Sequence, residues 1–375
     1  MFGKRNNSYI AFILAAIIIL SLITVYASSA SLETKLSARS AALYQPDTGS
    51  FLFSKNADQR MKMASTTKIM TALLAIENSD DLSELIEIPK EACGVEGSSA
   101  YLKCGDILSV EELLYALLLQ SANDAACALA FHISGGVDEF ADLMNERASQ
   151  MGLENTHFTN PHGLDDDGHY TTARELAKIA GEAMNNSVFR EIASTYKKTL
   201  ECGERRRTYI NHNKLLRSYD GAIGVKTGFT DESGRCLVGA AERDGLILIS
   251  VTLDAPSDWA DHKALLDLGF SMMEMVRLSS VYEYSFDIPT TSLKSIRVTN
   301  TDELGIILPR GEHEIKRYIN LPMFISQNIE IGDKIGYIDF FVDGEFAGRA
   351  SLIATEEHRI KEKNFFEKIK ERLFG

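Results

Sequence analysis

The sequence predicts an α+β protein, because stretches with the apolar spacing of helices lie between runs that are typical of strands. Met63 to Glu77 and Glu111 to Ile133 have apolar residues at helical intervals, and residues 121–123 interrupt the second stretch. Ala41 to Phe53 precedes them as a hairpin of two apolar strands, and Leu246 to Leu253 follows as a strand. Helices framed by antiparallel strands at both ends favour the α+β class.

The length of the chain predicts two folded domains with a further segment at each end. About 345 residues remain after the first 30, which is more than one hydrophobic core usually holds. After Ser279, strand-like runs such as Phe324 to Ile331 and Ile335 to Val342 replace the helical periodicity. The predicted organisation is a signal segment at 1–30, an α+β domain at 31–278, a small all-β domain at 279–354 and a basic amphipathic helix at 355–375.

The N-terminal segment predicts export. Lys4 and Arg5 precede an uncharged run from Tyr9 to Tyr26, which is the pattern of a secretory signal. Cleavage after Ala27 or Ala30 fits the small-residue rule, although a run of 18 residues is also long enough to remain as an uncleaved membrane anchor. In both cases the positive end stays inside, so the remaining chain faces outward.

Composition excludes some classes of partner. The formal net charge of −14 argues against nucleic acid as the main partner. The five cysteines form no metal-binding CxxC pair and no dense disulfide framework, and an odd number leaves at least one free thiol. Cys93 and Cys104 are close enough in sequence to pair, but their spacing alone does not show that they do.

Ser65 and Lys68 open the first predicted helix. Their separation of three residues puts both side chains on one helix face, so that the lysine amine reaches the serine hydroxyl. A serine becomes nucleophilic when a base removes its proton, and burial lowers a lysine pKa enough to supply that base. Ser194 and Lys197 have the same spacing, but they end a polar helix and are interpreted as solvated surface.

Ser121 and Asn123 interrupt the second helical stretch. A hydroxyl and an amide in an apolar stretch are costly unless they have hydrogen-bonding partners, which suggests a proton relay and a substrate contact. The pattern is weak by itself, because residues 54–56 and 326–328 also match it.

Lys226, Thr227 and Gly228 form the most selective motif. A cation, a hydroxyl and a glycine on a predicted strand suit a sheet edge where a peptide backbone lies alongside, with Lys226 and Thr227 holding a terminal carboxylate. The alternative is an ordinary glycine turn before a strand.

In this order, the three motifs resemble those of the penicillin-binding-protein and β-lactamase superfamily. Neighbouring segments narrow the resemblance to the D-alanyl-D-alanine carboxypeptidases, the low-molecular-mass penicillin-binding proteins. These segments are Ala64 to Ala72, Ser121 to Ala125, Asn160 to Leu164, Gly224 to Thr230 and Ser233 to Ala241. The resemblance covers residues 36–275 and extends more loosely over the all-β domain and the basic C-terminal segment. It implies a β-lactamase/transpeptidase-like fold.

The resemblance implies a role for each motif residue. Ser65 is the expected nucleophile and Lys68 its base, while Ser121 is expected to pass a proton to the departing D-alanine. Substrate binding is expected to involve Asn123, Lys226, Thr227, Gly228 and Phe229, with the backbone N–H groups of Ser65 and Phe229 as the oxyanion hole. The implied substrate is a peptidoglycan stem peptide ending in D-Ala-D-Ala, β-lactams are implied as covalent inhibitors, and neither a metal nor a cofactor is required.

Two features separate this sequence from the family pattern. Ala122 stands where the family often has glycine, and a basic residue that helps to hold the carboxylate is not evident in Asp254 to His262. Carboxylate binding is therefore expected to rest on Lys226 and Thr227.

Three alternatives remain. They are a β-lactamase, which shares the three motifs, a non-catalytic protein that binds wall fragments, and an additional endopeptidase activity, which uses the same residues.

The C-terminal tail predicts attachment to a membrane surface. It carries six basic residues, and its apolar residues share one helical stripe: Phe365, Phe366, Ile369 and Leu373. In an acidic protein, a basic amphipathic helix favours binding to anionic lipid at the outer face of the cytoplasmic membrane. Docking of the same stripe on the protein's own core is the alternative.

Overall fold

The computed structural model describes residues 35–202, 205–290 and 294–360, and it divides into two units between Ser271 and Met272. The predicted signal segment at 1–30 lies outside the described residues, as does most of the predicted tail helix. None of the helices in the described ranges has the length and apolar character that crossing a membrane requires.

A five-stranded antiparallel sheet organises the first unit. Its spatial order is β2-β1-β9-β8-β7, which leaves β7 as an edge strand. The strands of this unit are β1 (Ser40–Gln45), β2 (Ser50–Lys55), β3 (Leu85–Glu87), β4 (Ile107–Ser109), β5 (Lys197–Cys202), β6 (Arg205–Ile210), β7 (Ala222–Thr230), β8 (Gly234–Arg243) and β9 (Leu246–Leu253). The predicted N-terminal hairpin is β1–β2, with Gly49 in its turn at a φ of 68°.

The helices of the first unit pack around a buried central helix. They are α1 (Lys68–Glu77), α2 (Val110–Leu119), α3 (Asn123–Ser134), α4 (Val137–Gln150), α5 (Ala173–Asn185), α6 (Ser187–Ser194), α7 (Leu215–Ser218) and α8 (Asp258–Met272). Every residue of α1 from Lys68 to Ala75 is buried, because helices cover it from several sides. The second predicted helical stretch is divided into α2 and α3 by residues 120–122, as expected from its polar interruption.

Local sequence signals define where these helices begin. Ser109 caps α2, and Glu112 completes a capping box by accepting from the Ser109 backbone N–H. Thr172 caps α5 through the backbone N–H of Glu175, and Asn186 caps α6.

The second unit is all-β among its described residues, as the sequence predicts. Its larger sheet has the order β11-β12-β16-β15-β14, and a separate pair joins β10 and β13. The strands are β10 (Met273–Ser279), β11 (Ser285–Pro289), β12 (Ser295–Asn300), β13 (Leu304–Pro309), β14 (Ile315–Asn320), β15 (Lys334–Val342) and β16 (Glu345–Ala354). The predicted run Ile335 to Val342 lies in β15, and Asp343 and Gly344 form its turn.

The expectation of a strand at Phe324 to Ile331 is wrong. Ile325 and Ile329 form isolated bridges with Thr290 and His358, and no strand is assigned to residues 324–331. Ile325 and Ile329 are buried, while the residues around them are largely exposed. Buried apolar residues at intervals therefore give this segment a sequence pattern similar to that of a strand.

Burial of His262 predicts that the first unit loses stability in acid. Its Nδ1 lies 2.7 Å from Ser250 Oγ and its Nε2 lies 2.9 Å from Thr252 Oγ1. Burial lowers the pKa of His262 to about 3, so below a pH of about 6.5 the unfolded chain binds a proton that the folded chain excludes. The free energy of unfolding should therefore fall by about 1.4 kcal/mol per pH unit from this imidazole as the pH drops from about 6.5.

Denaturant unfolding at pH 7, 6 and 5, followed by the fluorescence of Trp259, measures this slope. The variant His262→Gln should flatten it by about 1.4 kcal/mol per unit, whereas His157→Gln, at an exposed position, should not. Identical slopes for wild type and His262→Gln would contradict the assignment.

Candidate active site

Ser65 lies in a tight turn that leads directly into the buried helix α1. Residues Ala64–Thr67 form a 3₁₀ turn, and Ala64 has a φ of 47°, an uncommon conformation for a residue with a side chain. The Lys68 Nζ is 2.9 Å from the Ser65 Oγ. The predicted serine–lysine pair is therefore in hydrogen-bonding contact.

The Lys68 amine has three polar neighbours. Besides the Ser65 hydroxyl, its Nζ lies 2.7 Å from the Asn123 Oδ1 and 2.6 Å from the His162 backbone oxygen. Complete burial lowers the pKa of Lys68 well below its usual range, and the nearby Lys226 charge lowers it further. A neutral amine satisfies all three contacts: its two N–H groups donate to the two carbonyl oxygens, and its lone pair accepts the Ser65 proton.

Ser121 and Lys226 form a second hydroxyl–amine pair. Ser121 occupies the turn between α2 and α3 with a φ of 61°. The Lys226 Nζ donates to the Ser121 Oγ at 3.0 Å and to the Thr227 backbone oxygen at 2.8 Å. Burial lowers the pKa of Lys226 to about 7. With a pKa of about 7, both the cationic and the neutral form of Lys226 are populated near neutral pH, and the cationic form lowers the pKa of Lys68.

Both polar atoms of the Asn123 side chain contact the protein itself. Its Oδ1 accepts from Lys68, and its Nδ2 donates to the Glu96 backbone oxygen at 2.5 Å. Its backbone N–H donates to the Ser98 oxygen at 2.7 Å. The structure therefore gives Asn123 a role that the sequence did not predict, which is to hold the Lys68 amine in place.

Gly228 brings the edge strand β7 against the turn that contains Ser65. A Cβ at this position would lie 3.0 Å from the Ser65 backbone nitrogen and 3.1 Å from that of Thr66. Glycine permits this close approach between two backbones, because a Cβ here would require the Ser65 turn to shift by a few tenths of an ångström. Phe229 follows with 62% of its surface exposed, and Thr227 is partly buried.

The loop at 160–164 contributes a group that side-chain patterns did not identify. The Thr71 hydroxyl donates to the Pro161 oxygen, and Asn160 Oδ1 accepts from the Gly163 N–H. These bonds place the His162 carbonyl on Lys68. The sequence indicated a loop and a family segment here, but a backbone oxygen has no signature in the side chains.

His169 supports the Ser65 turn through Thr67. The Thr159 N–H donates to its Nδ1, so Nε2 carries the proton that is directed at Thr67 Oγ1, 2.7 Å away. The Thr67 hydroxyl in turn donates to the Ala64 oxygen. Burial lowers the pKa of His169 to about 4, which keeps this chain of donors intact at neutral pH.

Comparison with known proteins identifies the family to which this arrangement belongs. Residues 26–257 match the D-alanyl-D-alanine carboxypeptidase family. This chain is a member of that family. It is 32% identical over 335 residues to the D-alanyl-D-alanine carboxypeptidase DacF of Bacillus subtilis, which covers 85% of each chain.

Solved structures show the same likeness. Penicillin-binding protein 5 of Haemophilus influenzae matches with a TM-score of 0.62 and 28% identity, over 86% of this chain and 97% of that one. The DD-transpeptidase of Streptomyces K15 matches with a TM-score of 0.60 and 37% identity, over 63% of this chain and 98% of that one. The predicted α+β fold with its separate all-β region is confirmed, and so is the prediction of a serine-type D-alanyl-D-alanine carboxypeptidase. The C-terminal helix of the fold prediction lies outside the described residues for most of its length.

Substitution of Gly228 should impair the site without unfolding it. In Gly228→Ala, the added methyl group forces the Ser65 turn away from β7, so the rate of covalent labelling by a fluorescent penicillin should fall at least about tenfold. Gly311→Ala is a matched control, because nothing lies within 4 Å of a Cβ there. Equal labelling of the Gly228→Ala variant and the wild type would show that this close approach is not needed.

Proposed function

We propose that Ser65 removes the terminal D-alanine from peptidoglycan stem pentapeptides through an acyl-enzyme. The observation that supports this proposal is the set of three contacts that the Lys68 Nζ makes with Ser65, Asn123 and His162. Two carbonyl oxygens take both N–H groups of a neutral amine, which leaves its lone pair directed at the Ser65 proton. This arrangement makes Lys68 the base.

The first half of the reaction forms an ester. Lys68 takes the Ser65 proton as Oγ attacks the carbonyl carbon between the two D-alanines, and the Ser65 and Phe229 N–H groups receive the developing oxyanion. The C–N bond then breaks. The leaving nitrogen takes the Ser121 hydroxyl proton, and the ammonium of Lys226 replaces that proton through their 3.0 Å contact.

The second half hydrolyses the ester. After the first half, Lys68 carries the Ser65 proton and Lys226 is neutral. Water loses a proton to the Lys226 amine and attacks the same carbonyl carbon, and Ser65 Oγ leaves with the proton that Lys68 returns. With a β-lactam, only the first half of the reaction takes place: Ser65 attacks the ring amide and opens the ring. The acyl-enzyme then accumulates when its hydrolysis by water is slow. The cationic Lys226 and the Thr227 hydroxyl bind the carboxylate that both kinds of ligand carry.

Release of D-alanine tests this proposal directly. The full chain is incubated with a peptide ending in D-Ala-D-Ala, and free D-alanine is followed together with labelling by a penicillin. Ser65→Ala should abolish both signals, because the nucleophile is missing. Ser194→Ala is the matched control, because it removes the serine of the other serine–lysine pattern, and it should retain both.

Other outcomes of this assay point to the alternatives. Labelling without D-alanine release, with cleavage of cross-linked dimers instead, would favour an endopeptidase. Rapid turnover of the penicillin would favour a β-lactamase. If the folded wild type shows no labelling and no release of D-alanine, the proposal is contradicted and a binding protein is favoured.

We further propose that the protein is exported and associates with the outer face of the cytoplasmic membrane. The basic, apolar N-terminal segment supports export, and the basic amphipathic tail supports attachment to anionic lipid. Both lie largely outside the described residues, so the sequence carries this proposal.

Charge reversal in the tail tests the attachment. The double variant Lys368→Glu, Lys370→Glu should bind vesicles of phosphatidylglycerol and phosphatidylcholine at least about tenfold more weakly, because each basic residue near the surface contributes about 1 kcal/mol. The double variant Lys316→Glu, Lys334→Glu in the second unit is the control and should bind as the wild type does. Equal weakening by both double variants would refute a specific role for the tail.

A further inference from the structure

Cys104 lies beside the backbone of residues 88 and 89. β3 and β4 pair through Glu87 and Ile107, and two further hydrogen bonds extend this ladder. The Ile88 N–H donates to the Asp106 oxygen at 2.8 Å, and the Gly105 N–H donates to the Ile88 oxygen at 3.0 Å. Cys104 immediately precedes Gly105, so the ladder places it next to the Ile88–Pro89 segment.

A 3₁₀ turn brings Cys93 back to the same segment. The turn spans Lys90–Ala92, and the Cys93 N–H donates to the Lys90 oxygen at 3.2 Å. The Cys93 Sγ then lies 3.4 Å from the Pro89 oxygen. Burial raises the pKa of the Cys93 thiol, and the neighbouring Cys104 thiol raises it further. The hydrogen-bonded ladder, the 3₁₀ turn and the effect of Cys104 on the pKa of Cys93 all indicate that the two side chains are neighbours.

The segment between these cysteines supports the active site. The Glu96 and Ser98 carbonyl oxygens accept from Asn123, whose Oδ1 contacts Lys68. The adjacent Asp124 carboxylate accepts from the backbone N–H groups of Ala100 and Leu102. The loop at 94–103 is thus bonded directly to the residue that holds the catalytic base.

We propose that Cys93 and Cys104 form a disulfide in the exported protein, and that this bond fixes the loop that positions Asn123 and Lys68. The proposal rests on the proposed function, because an extracytoplasmic location provides the oxidising conditions. Both thiols are free in the structure, Cys104 is exposed, and Cys93 is half-buried. Asn123 is a positioning residue in this scheme, since it acts through Lys68.

The bond forms by thiol–disulfide exchange with an external disulfide, R–S–S–R. The exposed Cys104 thiolate attacks one sulfur and releases RS⁻, which gives a mixed disulfide. The Cys93 thiolate then attacks the Cys104 sulfur, which forms the Cys93–Cys104 bond and releases the second RS⁻. The external disulfide is reduced to two R–SH by the two protons and two electrons of the cysteine pair.

Counting thiols tests the bond without any assay of activity. The full chain is incubated folded with oxidised glutathione, and its thiols are then titrated after denaturation. The wild type should fall from five thiols to three, and peptide mapping should join residues 93 and 104. Cys202→Ser is the matched control and should fall from four to two, whereas Cys93→Ser should form no internal disulfide. A wild type that keeps five thiols would overturn the proposal.

The response to reduction tests the positioning role. Reducing the wild type should lower the rate of acylation by penicillin about threefold or more, because Asn123 and Lys68 lose their fixed geometry. The melting temperature should fall by about 3 to 8 °C. The double variant Cys93→Ser, Cys104→Ser should show neither response. Equal acylation rates for the oxidised and reduced wild type would overturn the positioning role, and the thiol count remains decisive even if the chain proves unable to release D-alanine.

Discussion

The active site depends on one buried amine. Lys68 is fully enclosed, and the cost of burying its charge lowers its pKa, which is the property that the proposed role of base requires. That burial requires α1 to run through the centre of the first unit with helices packed around it. The break between α2 and α3 and the loop at 160–164 then supply the two carbonyl oxygens that a neutral amine needs.

The two buried lysines of the site differ in the causes that lower their pKa values. Lys226 is desolvated, with a pKa of about 7, while Lys68 experiences both desolvation and the charge of Lys226. Each lysine contacts one serine, so the site contains two hydroxyl–amine pairs, as the proposed mechanism requires. A charge on Lys226 lowers the pKa of Lys68 further because the buried site screens charge poorly.

Side-chain patterns predicted much of this arrangement, and backbone groups account for most of what they missed. Ser121 and Asn123 stood out because polar residues interrupt an apolar stretch, and Gly228 because a glycine follows a cation and a hydroxyl. The carbonyls of His162 and Glu96 carry no such signal, since any residue supplies the same oxygen. The incorrect strand at Phe324 to Ile331 has a related origin: periodic burial of Ile325 and Ile329 does not reveal whether backbone pairing accompanies it.

The position of β7 at the end of its sheet also bears on solubility. An edge strand offers unpaired backbone groups to any passing chain, so a strand left open for a peptide is equally a template for aggregation. The first half of β7 lies against α6, with Ala193 beside Gly224, and Gly228 lies against the Ser65 turn. The open stretch is consequently limited to a few residues around the exposed Phe229, which is too short to template an extended ladder between two copies of the protein.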